Sequence, residues 1–262
     1  MADSTAPEAF ASHARAMLER GFTALKFDIP MLDLYPAGEF NRCLSTKTLD
    51  RIVKIVQTTR EAVGPDVDLA FDCHWQFNTN DALKLACACE PFNLLWLEDP
   101  VPPENVDALA AVTRGTRTPI CSGENLSLRH GFRQLIEKQA VNVVSPDFQK
   151  AGGILEARRI CDMADTYYLA VAPHNISSPI GTIASCHLAC AIPNFLALEF
   201  HASDVPFWED LAAGPSKPII RDGYIHLSEA PGLGVELSEE TARKYAKQGE
   251  PFFLEPQEPR AE

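Results

Sequence analysis

Short apolar runs recur about every 25 residues along this 262-residue chain, and amphipathic stretches fill most of the intervals. The runs Thr23–Phe27, Val67–Phe71, Leu94–Leu97, Pro119–Cys121, Val141–Ser145, Leu169–Ala172 and Phe195–Glu199 read as strands. Several are apolar almost without a break. A strand apolar on both faces must be covered on both, as the strands of a parallel sheet are. Ser45–Val63 carries Leu49, Ile52, Val53, Val56 and Val63 at helical spacing and is closed by Gly64-Pro65. Glu104–Thr113, Leu128–Lys138, Ile154–Asp165 and Ile180–Ala191 read as helices in later intervals. Strands that alternate with helices build βαβ units. A doubly wound sheet would alternate in the same way. The repeat is close to the roughly 30 residues of a barrel unit, however, and no Gly-x-Gly-x-x-Gly follows a strand. The expected class is therefore α/β, a TIM-type (β/α) barrel. The series opens on a helix, Glu8–Arg20, and seven strands follow, so the first barrel strand is expected to be missing.

After Phe200 the alternation stops. The division expected is an incomplete barrel over 7–202 and a C-terminal segment over 203–262. That segment should hold a hairpin, Pro218–Ile220 with Tyr224–Leu227, turning on Asp222-Gly223, and a Pro-rich surface tail from Pro251. A net charge of −13 argues against a nucleic-acid partner, which calls for a basic face. No apolar run approaches the roughly 20 residues that span a bilayer, and MADSTAPEAF has neither the basic nor the apolar part of a secretory signal. A cytoplasmic protein with no membrane partner is expected. None of the eight cysteines forms a Cys-x-x-Cys pair, and most lie in apolar surroundings, so they read as reduced core residues.

Asp72, Glu98 and Glu124 each follow an apolar run, and 26 residues separate each from the next. That interval is one barrel unit, and barrels project their working groups from the C-terminal ends of the strands. Acidic residues often end a strand simply to cap the next helix. Three in step are a different matter: converging carboxylates repel, and a divalent cation relieves them. An all-oxygen set suits Mg²⁺ or Mn²⁺ better than zinc. Asp147 and His174 continue the series after the next two strands, where a carboxylate could orient an imidazole as a general base. Glu199 closes it. His74 lies two residues after Asp72 and, on extended backbone, would share its face as a candidate general acid.

The motifs LAFDCHW, LLWLEDPVPPEN, ICSGENL, VVSPDFQKAGGI, VAPHN and ALEFH, with Lys26, run in this order from Lys26 to His201. Together they resemble the enolase superfamily in its mandelate racemase-like branch, and are most similar to acid-sugar dehydratases of the galactonate and mannonate type. The resemblance implies Asp72, Glu98 and Glu124 as Mg²⁺ ligands and a small-molecule sugar acid as substrate. It implies that His174, oriented by Asp147, takes the proton α to the carboxylate, that Glu199 donates a hydrogen bond to the enediolate, and that His74 protonates the departing 3-hydroxyl. The product would be a 2-keto-3-deoxy acid. Related racemases carry Lys-x-Lys on the second strand, where this chain has Lys26-Phe27-Asp28. One base plus one acid favours elimination over a two-base racemase. Asp28 is then a candidate for a distal substrate hydroxyl and Lys26 for pairing with a carboxylate of the site. Relatives also carry an N-terminal capping domain with no counterpart here, and they are commonly homo-oligomers. The alternatives are an epimerase or racemase of the same superfamily, and a catalytically silent remnant serving as an interaction protein.

Overall fold

The computed structural model describes residues 6–28, 41–202 and 204–248. The surface tail expected from Pro251 lies outside them. Within them the chain runs α1 (Pro7–Glu19), β1 (Ala24–Asp28), α2 (Thr46–Val63), β2 (Asp68–Asp72), α3 (Thr79–Cys89), β3 (Trp96–Glu98), α4 (Val106–Gly115) and β4 (Ile120–Ser122). It continues through α5 (Leu128–Glu137), β5 (Val143–Val144), α6 (Ile154–Asp165), β6 (Ala170–Val171) and α7 (Pro179–Ala189). Strands β1 to β6 pair in sequence order, every pair parallel.

The expected strand Phe195–Glu199 is reduced to one parallel bridge, Val171 with Phe195. Three backbone bonds still lay it along β6: Val171 N–H to Asn194 O at 2.8 Å, Leu196 N–H to Val171 O at 2.8 Å and Glu199 N–H to Pro173 O at 3.2 Å. Among the described residues no strand pairs with its other side, so nothing enforces a full ladder there. The sheet nevertheless curls as a barrel does. In a flat sheet with strands about 4.8 Å apart, β1 and this seventh segment would lie about 29 Å from each other. Yet Lys26 on β1 reaches Glu98 and Glu199, each at 2.9 Å.

Side chains alternate between two compartments, as the period of two in a strand requires. Leu69, Phe71, Leu97, Ile120, Val144 and Val171 join the helices in the main core. Ala70, Trp96, Cys121, Val143 and Ala172 form a smaller cluster inside the arc. Lys26 is in register with Ala70, and Asp28 with Asp72, which in turn matches Glu98. These polar residues therefore share the inward parity and lie toward the C-terminal ends of their strands.

Local chemistry accounts for the helix limits. Ser45, Asn78 and Asn105 accept the backbone N–H three residues on, capping α2, α3 and α4. Helix α3 has no counterpart in the sequence reading. Its signal is Ala82, Leu85, Ala86 and Cys89 at i, i+3, i+4 and i+7, all buried, but small residues at three of the four positions weaken it. The expected hairpin is present as β8 (Ile220–Arg221) and β9 (Tyr224–Ile225), after β7 (Ala212–Ala213) and before β10 (Glu236–Leu237) and α8 (Glu239–Lys244). Its turn residues Asp222 and Gly223 have φ of 50° and 78°, the left-handed pair of a type I′ turn. The turn packs on the α1–β1 corner, where a Cβ on Gly223 would come within 2.5 Å of Gly21 O. Phe22 stacks on Phe200 at 6.2 Å, and Trp208 packs edge-on against Phe200 at 5.0 Å, joining the two ends of the arc. The eight cysteines are free. Only Cys73, Cys89, Cys121 and Cys161 are buried, so the reading of most cysteines as core residues holds for half of them. No helix among the described residues is long and apolar enough to cross a membrane.

Candidate active site

The C-terminal rim of the arc gathers all nine residues singled out in the sequence. Asp72 and Glu98 end β2 and β3, and Glu124 lies two residues beyond β4. One oxygen from each lies within 4.8 Å of the other two, and all three side chains are buried. This is the only group of three or more such ligands that could hold a metal among the described residues. The donor set is all oxygen and anionic, with nothing soft in it, which fits a hard divalent cation.

Lys26 sits among these carboxylates. Its Nζ lies 2.9 Å from Glu98, 2.9 Å from Glu199 and 3.4 Å from Asp72. Burial opposes its charge, but Glu98, Glu199 and Asp72 outweigh that and hold the ammonium well above the usual lysine range. Glu98 also accepts the indole N–H of Trp96 at 2.8 Å. Burial, with Asp72 and Glu199 adding to it against Lys26, pushes the Glu98 carboxyl up to about 7. Burial likewise raises Glu124, against the pull of His174. Asp99, next to Glu98, is buried, accepts the Ser122 hydroxyl and is pushed well above the carboxylate range by burial and by Glu98. Its neutral form is thereby favoured beside Glu98.

On the β5–β6 side, Asp147 Oδ2 meets His174 Nδ1 at 2.8 Å, and Asp147 Oδ1 accepts the backbone N–H groups of Gln149 and Lys150 at 3.0 Å. Burial resists ionisation of Asp147, but the His174 bond and the Lys150 amide prevail and lower it. Burial also disfavours the imidazolium of His174, yet the Asp147 bond, Glu199 and Glu124 raise its pKa. With Nδ1 committed to Asp147, Nε2 is the free end. It lies 3.6 Å from Glu124 and 3.9 Å from Glu199. Glu199 is held below its usual range, because Lys26 and His174 outweigh its burial. An ionised carboxylate accepts and cannot donate, so the donor role that the resemblance implies for Glu199 is not its state at rest.

On the β1–β2 side, His74 Nε2 lies 3.4 Å from Asp72, and His74 Nδ1 lies 3.5 Å from Asp28. The ring is 39% exposed. The expectation that an extended backbone brings His74 back to Asp72 fails. His74 and Trp75 both have positive φ, 45° and 59°, and it is this left-handed turn that returns the ring to Asp72. His74 N–H donates to Asp72 Oδ1 at 2.9 Å and fixes the turn. Two residues of this site escaped the sequence reading. Trp96 lies two before Glu98 on the same strand face, a visible signal. Asn175 carried none beyond its place next to His174.

Comparison with known proteins extends these observations. The family model for the enolase C-terminal domain-like fold matches residues 9–241. A D-xylonate dehydratase from Haloferax volcanii is 44% identical over 254 residues, which cover 97% of this chain and 61% of that protein. A D-gluconate/D-galactonate dehydratase from Picrophilus torridus is 32% identical, covering 94% of this chain and 61% of its own length. A crystal structure of a mandelate racemase/muconate lactonizing enzyme-like protein from Rubrobacter xylanophilus superposes with a TM-score of 0.91 at 46% identity, over 96% of this chain and 64% of that one. The chain thus spans about 61% of the length of these curated relatives.

Proposed function

The chain belongs to the enolase C-terminal domain-like family of the enolase superfamily, and from that premise we propose that it carries the catalytic site of a Mg²⁺-dependent sugar-acid dehydratase. The observation that carries this reading is one arrangement. A buried three-carboxylate cluster is flanked by a carboxylate-oriented imidazole on the β5–β6 side and a second, partly exposed imidazole on the β1–β2 side. The substrate class follows from the relatives, whose names specify xylonate, gluconate and galactonate.

Asp72, Glu98 and Glu124 would hold the Mg²⁺. When bound, the ion supplies electrostatic stabilisation for charge developing on the substrate carboxylate, without which a proton beside a carboxylate is too weakly acidic to remove. His174 is the base. Its Nδ1–H donates to Asp147, which leaves the Nε2 lone pair to accept the proton from C2 of an aldonate. The Asp147 carboxylate then stabilises the imidazolium. His74, as imidazolium, gives a proton to the 3-hydroxyl as the C3–O bond breaks. The C2 proton and the 3-hydroxyl leave together as the elements of water, and the enol that remains tautomerises to a 2-keto-3-deoxy acid. Asp28, beside His74 and half-exposed, orients a distal hydroxyl. Lys26 pairs with the ionised carboxylates and with the incoming substrate carboxylate, and Glu199 gains a proton to donate only once substrate separates it from Lys26.

Turnover of D-xylonate and D-gluconate with added Mg²⁺, with 2-keto acid trapped by semicarbazide, tests the reading. The product is expected from the wild-type chain and is lost both with EDTA and in His174→Asn. A Mg²⁺-binding chain that converts neither acid, or a His174→Asn variant that keeps the wild-type rate, overturns it.

A further inference from the structure

Glu199 is the one member of the site whose preceding segment forms no regular strand. The segment before it forms a single bridge to β6, and its own backbone N–H makes a 3.2 Å bond to Pro173 O. Its remaining bonds, apart from those to charged partners, converge on Asn175. The Asn175 backbone N–H donates to Glu199 Oε2 at 2.9 Å, and its Nδ2 donates to the Glu199 carbonyl at 3.0 Å. The second hydrogen of that amide goes to Thr182 Oγ1 on α7, also at 3.0 Å. Asn175 is 1% exposed and Thr182 is buried too, so neither side chain is open to solvent.

We propose that Asn175 is a positioning residue that fastens Glu199 to the His174 loop and anchors both to α7, fixing the carboxylate beside the imidazole. The proposal rests on the reading of His174 as the base. Its physical content is that both the main chain and the carboxylate of Glu199 are referenced to the segment that carries His174. Thr182 supplies the fixed point, because its backbone belongs to a helix and its N–H donates to Ser178 O at 2.9 Å. The clamp acts on geometry alone. The 3.9 Å gap between Glu199 Oε2 and His174 Nε2 is set by Asn175 on one side and by the Asp147 bond on the other. Without the amide, the Glu199 carbonyl loses its donor and the end of the segment is free to drift, and Glu199 with it. A displacement of about 1 Å in a reacting constellation can cost on the order of 10²-fold in rate.

The test compares Asn175→Ala, Asn175→Asp and Thr182→Val with the full wild-type chain. Kinetics use D-xylonate with Mg²⁺, and the variants are also crystallised. Asn175→Asp keeps the volume and serves if the alanine variant does not fold. The expected result is a kcat lower by about 10²-fold in either Asn175 variant, with KM within about threefold, and a Glu199 carboxylate withdrawn from the Asn175 N–H. Thr182→Val removes the anchor on α7 but keeps the amide bond to the Glu199 carbonyl, so kcat should fall by about tenfold, short of the Asn175 variants. If Asn175 only fills space with Thr182, the two substitutions behave alike, and the proposal is wrong. Loss of turnover in His174→Asn together with wild-type kcat in both Asn175 variants refutes the clamp and leaves the base in place. Wild-type turnover in His174→Asn refutes the base. If the wild-type chain turns over nothing, the crystal structures decide: a Glu199 carboxylate unmoved in the Asn175 variants refutes the clamp.

Discussion

Replacing Lys26 by methionine removes the ammonium that pairs with Asp72, Glu98 and Glu199 while keeping most of the side chain's bulk. Lys26 is 17% exposed, and its partners Asp72, Glu98 and Glu199 are 4%, 1% and 15% exposed, so water can do little in its place. At an effective dielectric constant of about 20, a single pair at this distance is worth roughly 6 kcal/mol before solvation is counted. Removing one partner of a buried pair costs about 3–5 kcal/mol net, because the other charge is left unmatched. Glu98, already pushed up to about 7, can take a proton and relieve part of the strain, so the lower end of that range is expected near neutral pH. For a chain of this size, about 3 kcal/mol corresponds to a fall in Tm of roughly 6–12 °C. Thermal unfolding with EDTA should show this drop for Lys26→Met. With saturating Mg²⁺ the drop should shrink to a third or less, since the ion supplies the missing charge to the same oxygens. An equal loss with and without Mg²⁺, or no loss with EDTA, would refute the view that Lys26 and a metal answer the same cluster.

Mg²⁺ affinity should rise with pH through about 7, where Glu98 gives up its proton, and calorimetry in buffers of different ionisation enthalpy should record proton release at pH 6 that fades by pH 8. The metal-free chain should lose stability over the same interval. The folded-state pKa of Glu98 lies above its ordinary value of 4.5, so the folded form binds more protons between 4.5 and about 7, and stability falls by about 3 kcal/mol as pH rises across that window. Raised Glu124 and His174 act in the same direction, and denaturant titrations from pH 5 to 8 check the slope; a metal-free chain that gains stability over this range contradicts the assignment. Asp147→Asn should keep the fold but lower kcat by about 10²–10⁴-fold, because an amide no longer stabilises the imidazolium; rates within tenfold of wild type would remove Asp147 from the mechanism. Gly223→Ala should cost about 2 kcal/mol or more in urea unfolding, since a Cβ there meets Gly21 O at 2.5 Å on a backbone with φ of 78°; an unchanged midpoint would mean that the hairpin does not pack on the α1–β1 corner.

What the sequence discloses about this fold depends on how local the signal is. Six of the seven expected strands are present and parallel, because runs such as LAF and WLE are apolar on both faces and fit no exposed element. The Asp222-Gly223 turn is legible for the same kind of reason: two consecutive residues that accept positive φ suit a type I′ turn. The Phe195–Glu199 segment looks like its fellows in composition, but ladder formation depends on a neighbour, and that is not encoded in the segment itself. The pairing of β7 with β10 joins Ala212 to Leu237 and Ala213 to Glu236, short pieces with no periodicity to announce them. Within the site, the carboxylates were visible by their equal spacing. The bonding was not. Lys26 joins Glu98 to Glu199 only because the sheet curls, Trp96 grips Glu98 by strand parity, and Asn175 ties together segments that are 24 residues apart in the chain.

The most direct measurement is the fate of the C2 hydrogen. D-xylonate labelled with deuterium at C2 is incubated with the Mg²⁺-loaded chain and followed by NMR, beside the His174→Asn variant. Abstraction by His174 predicts that the label passes to solvent as 2-keto-3-deoxy acid forms, with a primary isotope effect on turnover, and that the variant leaves both label and substrate intact. Product that forms at equal rates from labelled and unlabelled substrate, or label lost just as fast in the variant, would contradict the account.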